Sequence, residues 1–283
     1  MQAAQAVMLP DGRRLHLHHG PIDLIVEAWG PGREDAYKSA TKRFENLLQE
    51  LVDELPALRR PLAPGAEFAG AVARRMASAV RPHGGVFVTP MAAVAGAVAD
   101  EIVSVMVGPD ISKAYVNNGG DAAFYLTQGE RTEAALAAPI AGRIVIAADD
   151  PYRGLATSGW RGRSHSLGIA DAVSVVAETA AAADVAATMI ANAVDLPGHG
   201  AIRRQPASEL APDSDLGERP VTVEVGALTA EETAAALERG RQCAEDFRAR
   251  GLIGGALLTL NRELRLIGAG APFETEERTL VHA

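Results

Sequence analysis

The stretch from Ala180 to Val194 most constrains the fold, because its alanines favour a helix while offering almost no side chain to cover a core. Such a helix is useful where a sheet or another backbone comes close. The segment before it, Ala172 to Ala177, reads as a strand, so the pair predicts a strand feeding a tightly packed helix.

Other segments repeat this mixture. Arg14 to His18 and Ile22 to Glu27 read as strands joined through Gly20-Pro21. Ala114 to Asn117, Ala122 to Leu126, Arg143 to Ala147 and Val221 to Val225 are bounded by Gly, Pro, Asn or Asp, and Val86 to Val88 is a short strand candidate. Leu257 to Leu260 and Leu264 to Ile267 make a hairpin across Asn261-Arg262. Helices are expected over Asp35 to Leu55, ending before Pro56, and over Glu67 to Val80. A further helix runs from Thr89-Pro90 to about Val103, and another starts at the Thr229/Glu232 capping box and ends near Arg250-Gly251. His199 to Arg219 reads as an exposed irregular loop. The expected class is α+β, with mixed and antiparallel sheets and packed helices, in one unit spanning residues 1–283.

Composition excludes several functions. With 48% hydrophobic and 22% charged residues among 283, the chain can bury a sizeable core. A net charge of −9 argues against a nucleic-acid surface, which needs clustered Lys and Arg. The single Cys243 gives neither a disulfide framework nor a cysteine metal site. No apolar run reaches membrane-spanning length, and the N-terminus lacks a basic region followed by an apolar one, so a soluble, cytoplasmic protein is expected.

Candidate chemistry concentrates between residues 89 and 194. Asp184 and Thr188 lie four residues apart on the alanine-rich helix, so their oxygens share a face and could bridge a hard cation. The same spacing also fits Asp184 capping a helix while Thr188 bonds back to a carbonyl. Asn117, Asn118, Gly119, Gly120 and Asp121 spell a hairpin turn, and equally a place where backbone amides approach a ligand while Asp121 accepts from a ribose or ring N–H. Thr89 opens a helix whose free amides could meet an anion. Gly96 implies a close neighbour, either a packed helix or a cofactor, and Asp100 sits late in that helix, where a carboxylate opposes the dipole. Thr157, Ser158 and Gly159 precede Trp160, Arg161, Arg163 and His165. Arginines can hold a phosphate and an indole can stack on a heterocycle, whereas the plain alternative is a solvated loop. No Gly-x-Ser-x-Gly elbow surrounds Ser158, and Asp171 is the one carboxylate near enough in sequence to orient His165.

Taken in order, these segments resemble the ApbE-like superfamily of FAD:protein FMN transferases. Its pattern is a small-residue helix with Gly-x-x-x-Asp, an Asn-x-Gly-Gly-Asp turn, Thr-Ser-Gly, a His, and Ala-Asp-x-x-x-Thr. Here these are Gly96 with Asp100, Asn117 to Asp121, Thr157 to Gly159, His165, and Ala183-Asp184 with Thr188. The short segment from Ser164 to Asp171 resembles the superfamily's compact branch. The resemblance implies an α+β fold that binds FAD, with Mg²⁺ held by Asp184 and Thr188 beside the pyrophosphate. It also implies Asp100 and Asp121 lining a nucleotide pocket, with His165 contacting phosphate or moving a proton. Such enzymes split FAD, release AMP and attach FMN to a hydroxyl of a protein acceptor. Where the transferases have Lys-Gly-Tyr, this chain has Ala95-Gly96-Ala97, so Trp160 or Phe87 would have to supply the stacked aromatic.

The leading expectation is therefore a metal-assisted transferase or hydrolase acting on the FAD pyrophosphate, with catalysis by His165 and Asp184. Its partners would be a flavin nucleotide and a protein acceptor, and a homodimer is compatible with the sequence. The alternatives are a non-catalytic flavin or small-anion binding protein on the same scaffold, and a hydrolase of an unrelated small substrate.

Overall fold

The Gly-punctuated segments pair as antiparallel strands in a computed structural model, which describes residues 3–136, 142–268 and 271–275. The elements, in chain order, begin with β1 (Gln5–Met8), β2 (Leu15–His19), β3 (Ile22–Trp29), α1 (Arg33–Leu58), α2 (Ala71–Val80), α3 (Val94–Met106), β4 (Lys113–Asn118) and β5 (Asp121–Leu126). They continue with β6 (Arg131–Ala135), β7 (Gly142–Ala147), β8 (Gly154–Ser158), β9 (Ala172–Ala177), α4 (Ala180–Ala193), β10 (Ile202–Pro206) and α5 (Ala207–Leu210). The last are β11 (Pro220–Val225), α6 (Ala230–Ala249), β12 (Gly255–Leu260), β13 (Glu263–Ile267) and β14 (Phe273–Thr275). Among the described residues, no helix is long and apolar enough to cross a membrane.

The chain packs as two compact units. One holds the residues up to Thr132 with Ala147–Ala156 and Ala177–Val185; the other holds Glu133–Ile146, Thr157–Val176 and the chain from Ala186 on. The expectation of one unit rests on the absence of a linker. Here none is needed, since all five boundaries fall inside elements: β6, β7, β8, β9 and α4.

In the first unit β1 to β5 form an antiparallel ladder, and the start of β8 joins β5. Alternation puts Leu15, Leu17, Leu24, Val26, Ala28, Ala114 and Val116 on a buried face. α1 and α3 pack against this ladder. α1 presents Tyr37, Phe44, Leu47, Leu51 and Leu58 to the core. It runs through Pro56 instead of stopping before it. A proline in the last turn removes one N–H, while continuing the helix brings Leu58 to full burial. Arg43 of α1 and Arg75 of α2 both reach Glu101 of α3, at 2.7 and 3.0 Å. Burial opposes the charge on Glu101, but the two guanidiniums outweigh it and hold the carboxyl below its ordinary range.

α3 begins as the Thr89-Pro90 signal predicts. The Thr89 hydroxyl accepts from the Met91 amide at 3.2 Å, and residues 90–93 form a 3₁₀ turn before the α-helix. Two expectations nearby need correction. Val86 to Val88 is no strand, since its backbone meets no ladder, and α2 starts at Ala71, not Glu67.

In the second unit β9, β12 and β13 pair antiparallel, β14, β7 and β6 make a three-stranded sheet, and β10 pairs with β11. β12 is buried along its whole length, with α6 packed on it. α6 starts at the expected box, in which the Thr229 hydroxyl and the Glu232 carboxylate each accept from the other's backbone amide. The segment His199 to Arg219 is not wholly irregular. Its β10 is disguised by charge: Arg203 lies opposite Glu224 and bonds it at 2.9 Å, and Arg204 pairs with Asp195.

The β12–β13 turn holds two non-glycine residues in left-handed conformation, Asn261 at φ 49° and Arg262 at φ 67°. Asparagine tolerates this region, whereas arginine does not. Arg262→Gly is expected to raise stability by about 0.5–1 kcal/mol, after allowing for the added freedom of the unfolded chain. Urea denaturation at unchanged slope checks it.

Candidate functional site

Within the first unit, three elements converge on the start of α3. α3 has no side-chain cap of its own at Ala93. Its amides are served instead by α4: the Asp184 carboxylate accepts from the Gly96 N–H at 3.0 Å. The relation is mutual. Asp100 of α3 accepts from the first amides of α4, Ala180 at 3.0 Å and Ala181 at 2.9 Å. Each helix thus carries the aspartate that caps the other.

This exchange explains Gly96. A Cβ there would lie 2.2 Å from the Ala180 carbonyl oxygen, so the packed backbone is the close neighbour that the glycine implies. It also explains Asp100. Both of its oxygens are engaged by α4 in a buried setting, so a helix start is a partner of this late-helix carboxylate.

The Asn117–Asp121 segment is a hairpin turn, with Asn118 paired to Asp121 and both glycines at positive φ, 68° and 118°. Asn117 accepts from the Gly120 amide at 2.8 Å and stiffens the turn. Asn118, buried, donates to the Ala95 carbonyl at 3.1 Å and ties the turn to α3. A Cβ on Gly120 would meet nothing within 4 Å, so space remains above the turn. The Asp121 charge reaches Asp184 from this side.

Asp184 is consequently a poor acid. Loss of hydration is the largest cause, the Asp121 charge comes next, and Asp100 adds to both; the Gly96 and Ala95 amides offset part of this. The carboxyl stays well above its ordinary value of 3.8. Asp100 is also raised, its burial outweighing the two amide bonds.

Thr157, Ser158, Gly159, Trp160, His165 and Thr188 belong to the second unit. The Thr157 hydroxyl bonds that of Ser174 at 2.8 Å. Gly159 lets the Asp171 carbonyl approach to 2.5 Å of where a Cβ would be. Trp160 carries the Arg161 guanidinium 4.5 Å from its ring centroid, so one indole face is occupied. Asp171 does not orient His165, since its oxygens hold Arg161 and the Asn261 amide, each at 2.7 Å. Neither His165 nor Thr188 makes a side-chain hydrogen bond within the described residues, so the back-bond considered for Thr188 is not formed. Cys243 is no nucleophile, since burial pushes its thiol up to about 11.

Two residues with clear roles escaped the sequence reading. Thr179 caps α4 by accepting from Ala182 at 3.1 Å, a role signalled by a threonine just before the alanine run. Asn192 accepts from Ser166 and Leu167 at 3.2 and 2.9 Å and holds the loop that carries His165; no local pattern announces it.

This architecture defines an ApbE-like α+β protein. Its fold is similar to that of the apo crystal structure of the Pseudomonas stutzeri flavinyl transferase ApbE, with a TM-score of 0.52, 12% identity, and coverage of 94% of this chain and 96% of that one. Residues 6–266 match the family model described as AbpE bacteria, and the chain belongs to that family. Similar relatives are the UPF0280 proteins of Methanopyrus kandleri and Archaeoglobus fulgidus. The first is 34% identical over 182 residues, 60% of this chain and 69% of the relative. The second is 32% identical over 165 residues, 57% and 68% respectively.

Two outcomes follow from the mutual caps. Gly96→Ala drives a methyl into a backbone carbonyl and is expected to cost about 3 kcal/mol or more, read from the urea midpoint. Asp184→Asn keeps an acceptor for Gly96 while removing a charge that burial and Asp121 oppose. With chelator present, its melting temperature at pH 7 should equal or exceed that of the parent. Because the folded-state pKa is raised, the gain exists above that raised value and vanishes below about 3.8, where both states are protonated. A drop of several degrees at pH 7 would show that the charge stabilises the fold.

Proposed function

We propose that this chain binds FAD with the help of a divalent cation and cleaves its pyrophosphate, with a protein hydroxyl as the acceptor of FMN. The observation that carries this reading is the opposed carboxylate pair Asp121 and Asp184, kept together beside an open two-glycine turn in a fold similar to that of a flavinyl transferase.

The donor set fits a hard cation. It offers oxygens, and among the described residues no three His, Cys, Asp or Glu are grouped to close a coordination shell. Magnesium favours such partial sites, which leave positions for water and phosphate oxygens, whereas a closed four-ligand zinc site is not supported. Asp184 would hold the cation, with the unengaged hydroxyl of Thr188 one turn further along α4. A bound divalent cation supplies Lewis-acid polarisation of a phosphoryl oxygen.

The chain's own contribution is positioning. The Gly96 amide fixes the Asp184 carboxylate, and Asn117 and Asn118 fix the turn. Gly119 and Gly120 leave room for a phosphate or ring edge, and Asp121 can accept from a ribose hydroxyl or ring N–H. Among the described residues His165 has no side-chain hydrogen-bond partner, and it is the group to test for proton transfer. Thr157 to Trp160 are to be tested on the flavin side.

A second reading, binding without turnover, is favoured by the small residues Ala95-Gly96-Ala97 of α3 where the transferases carry an aromatic. Titration of FAD with and without MgCl₂, following flavin fluorescence and AMP release, separates the two. AMP is expected with the metal alone, and Asp184→Ala should lower its release by about a hundredfold or more, the scale of several kcal/mol of metal polarisation. Fluorescence change without AMP sustains the binding protein. No flavin response in either condition overturns both.

A further inference from the structure

A hollow of about 390 Å³ opens in the first unit where β3 ends and α1 begins, with Arg13, Glu27, Trp29, Pro31, Arg33 and Glu34 in its wall. We propose that it binds a small monocarboxylate, its carboxylate on the Arg33 guanidinium and its apolar body against the Trp29 indole.

The charges in the wall are unevenly satisfied. Glu27, buried, is bonded by Arg13 at 2.9 Å, so that pair is closed. The side chain of Arg33, a half-buried residue, makes no ion pair or hydrogen bond within the described residues. Its position is locally unfavourable as well, because a cation in the first turn of a helix is opposed by the helix dipole. Glu34, the next residue, lies in the same wall but makes no ion pair with Arg33 within the described residues, and Asp35 is engaged by Lys38 at 2.8 Å. Arg33 is thus a fork of donors in the wall of a hollow, left unpaired by the carboxylates of the described residues.

The same wall limits the ligand. Glu27 and Glu34 both oppose added negative charge, so one anionic charge balances Arg33 whereas a phosphate dianion is repelled. A planar carboxylate matches the guanidinium fork. The Trp29 ring carries the Lys113 ammonium 4.3 Å from its centroid, and the indole and Pro31 give the hollow an apolar side. The volume suits a ligand of one ring or a short chain.

Benzoate is the probe. The 283-residue chain has two tryptophans, so its ¹H–¹⁵N spectrum has two indole signals, assigned by comparison with Trp160→Phe. Benzoate should move the Trp29 signal saturably. Arg33→Gln should weaken binding about tenfold or more, and Arg33→Lys less, since the charge remains without the fork. Inorganic phosphate should move the signal only in Glu34→Gln. Should Arg33→Gln fail to fold, Arg33→Met, which keeps the packed stem, replaces it. An unmoved Trp29 signal, equal benzoate affinity after loss of the guanidinium, or phosphate binding the parent as tightly as benzoate would each overturn the proposal.

Discussion

The exchange of caps between α3 and α4 is the interaction on which the first unit depends. The first amides of a helix have no partner within it, and a start that is buried without one is costly. Here neither helix solves the problem locally by an ordinary side-chain cap alone. Asp184 is lent to α3 and Asp100 to α4, and Gly96 allows the two starts to approach until a carbonyl occupies the place of a Cβ. The Gly-Gly turn is then attached to the same point through Asn118 and Ala95.

This arrangement concentrates negative charge in a dry place. Asp100 and Asp184 are both pushed toward the protonated form, while Glu101, one residue from Asp100, is held ionised by two guanidiniums. The contrast shows two solutions to a buried carboxylate. Glu101 has full counter-charges and ties three helices together. Asp184 has amides on one side, another acid on the other, and no guanidinium among the described residues. Under the proposed function, a cation with open positions would relieve that group.

Much of the fold was legible because its signals are local. Gly- and Asn-bounded alternation gave β2 to β5, β7, β9 and the β12–β13 hairpin, and the Thr229/Glu232 box gave the start of α6. β10 was hidden because its arginines look like loop residues until Glu224 and Asp195 are placed beside them. β1, whose four residues are all exposed, has no buried face to betray it. The site divides in the same way. The glycines, the asparagines and the two aspartates stand out by spacing, but their partners do not: Asp184 finds its amide 88 residues away and Asp100 finds its own 80 and 81 residues away. Periodicity describes one element at a time, so it cannot distinguish a carboxylate that awaits a ligand from one already spent on a distant helix.

The shared helix starts also bear on how such chains drift. Residues 96, 100, 180 and 184 meet at one point, where Gly96 leaves no room for a side chain and the side chains of residues 100 and 184 must each remain an acceptor for the opposite helix. A descendant that abandoned its chemistry would still need acceptors at both places, whether aspartates or asparagines. Finding them in a relative therefore identifies inherited architecture, and only the behaviour of the surrounding ligand positions can tell whether that relative still turns over a substrate.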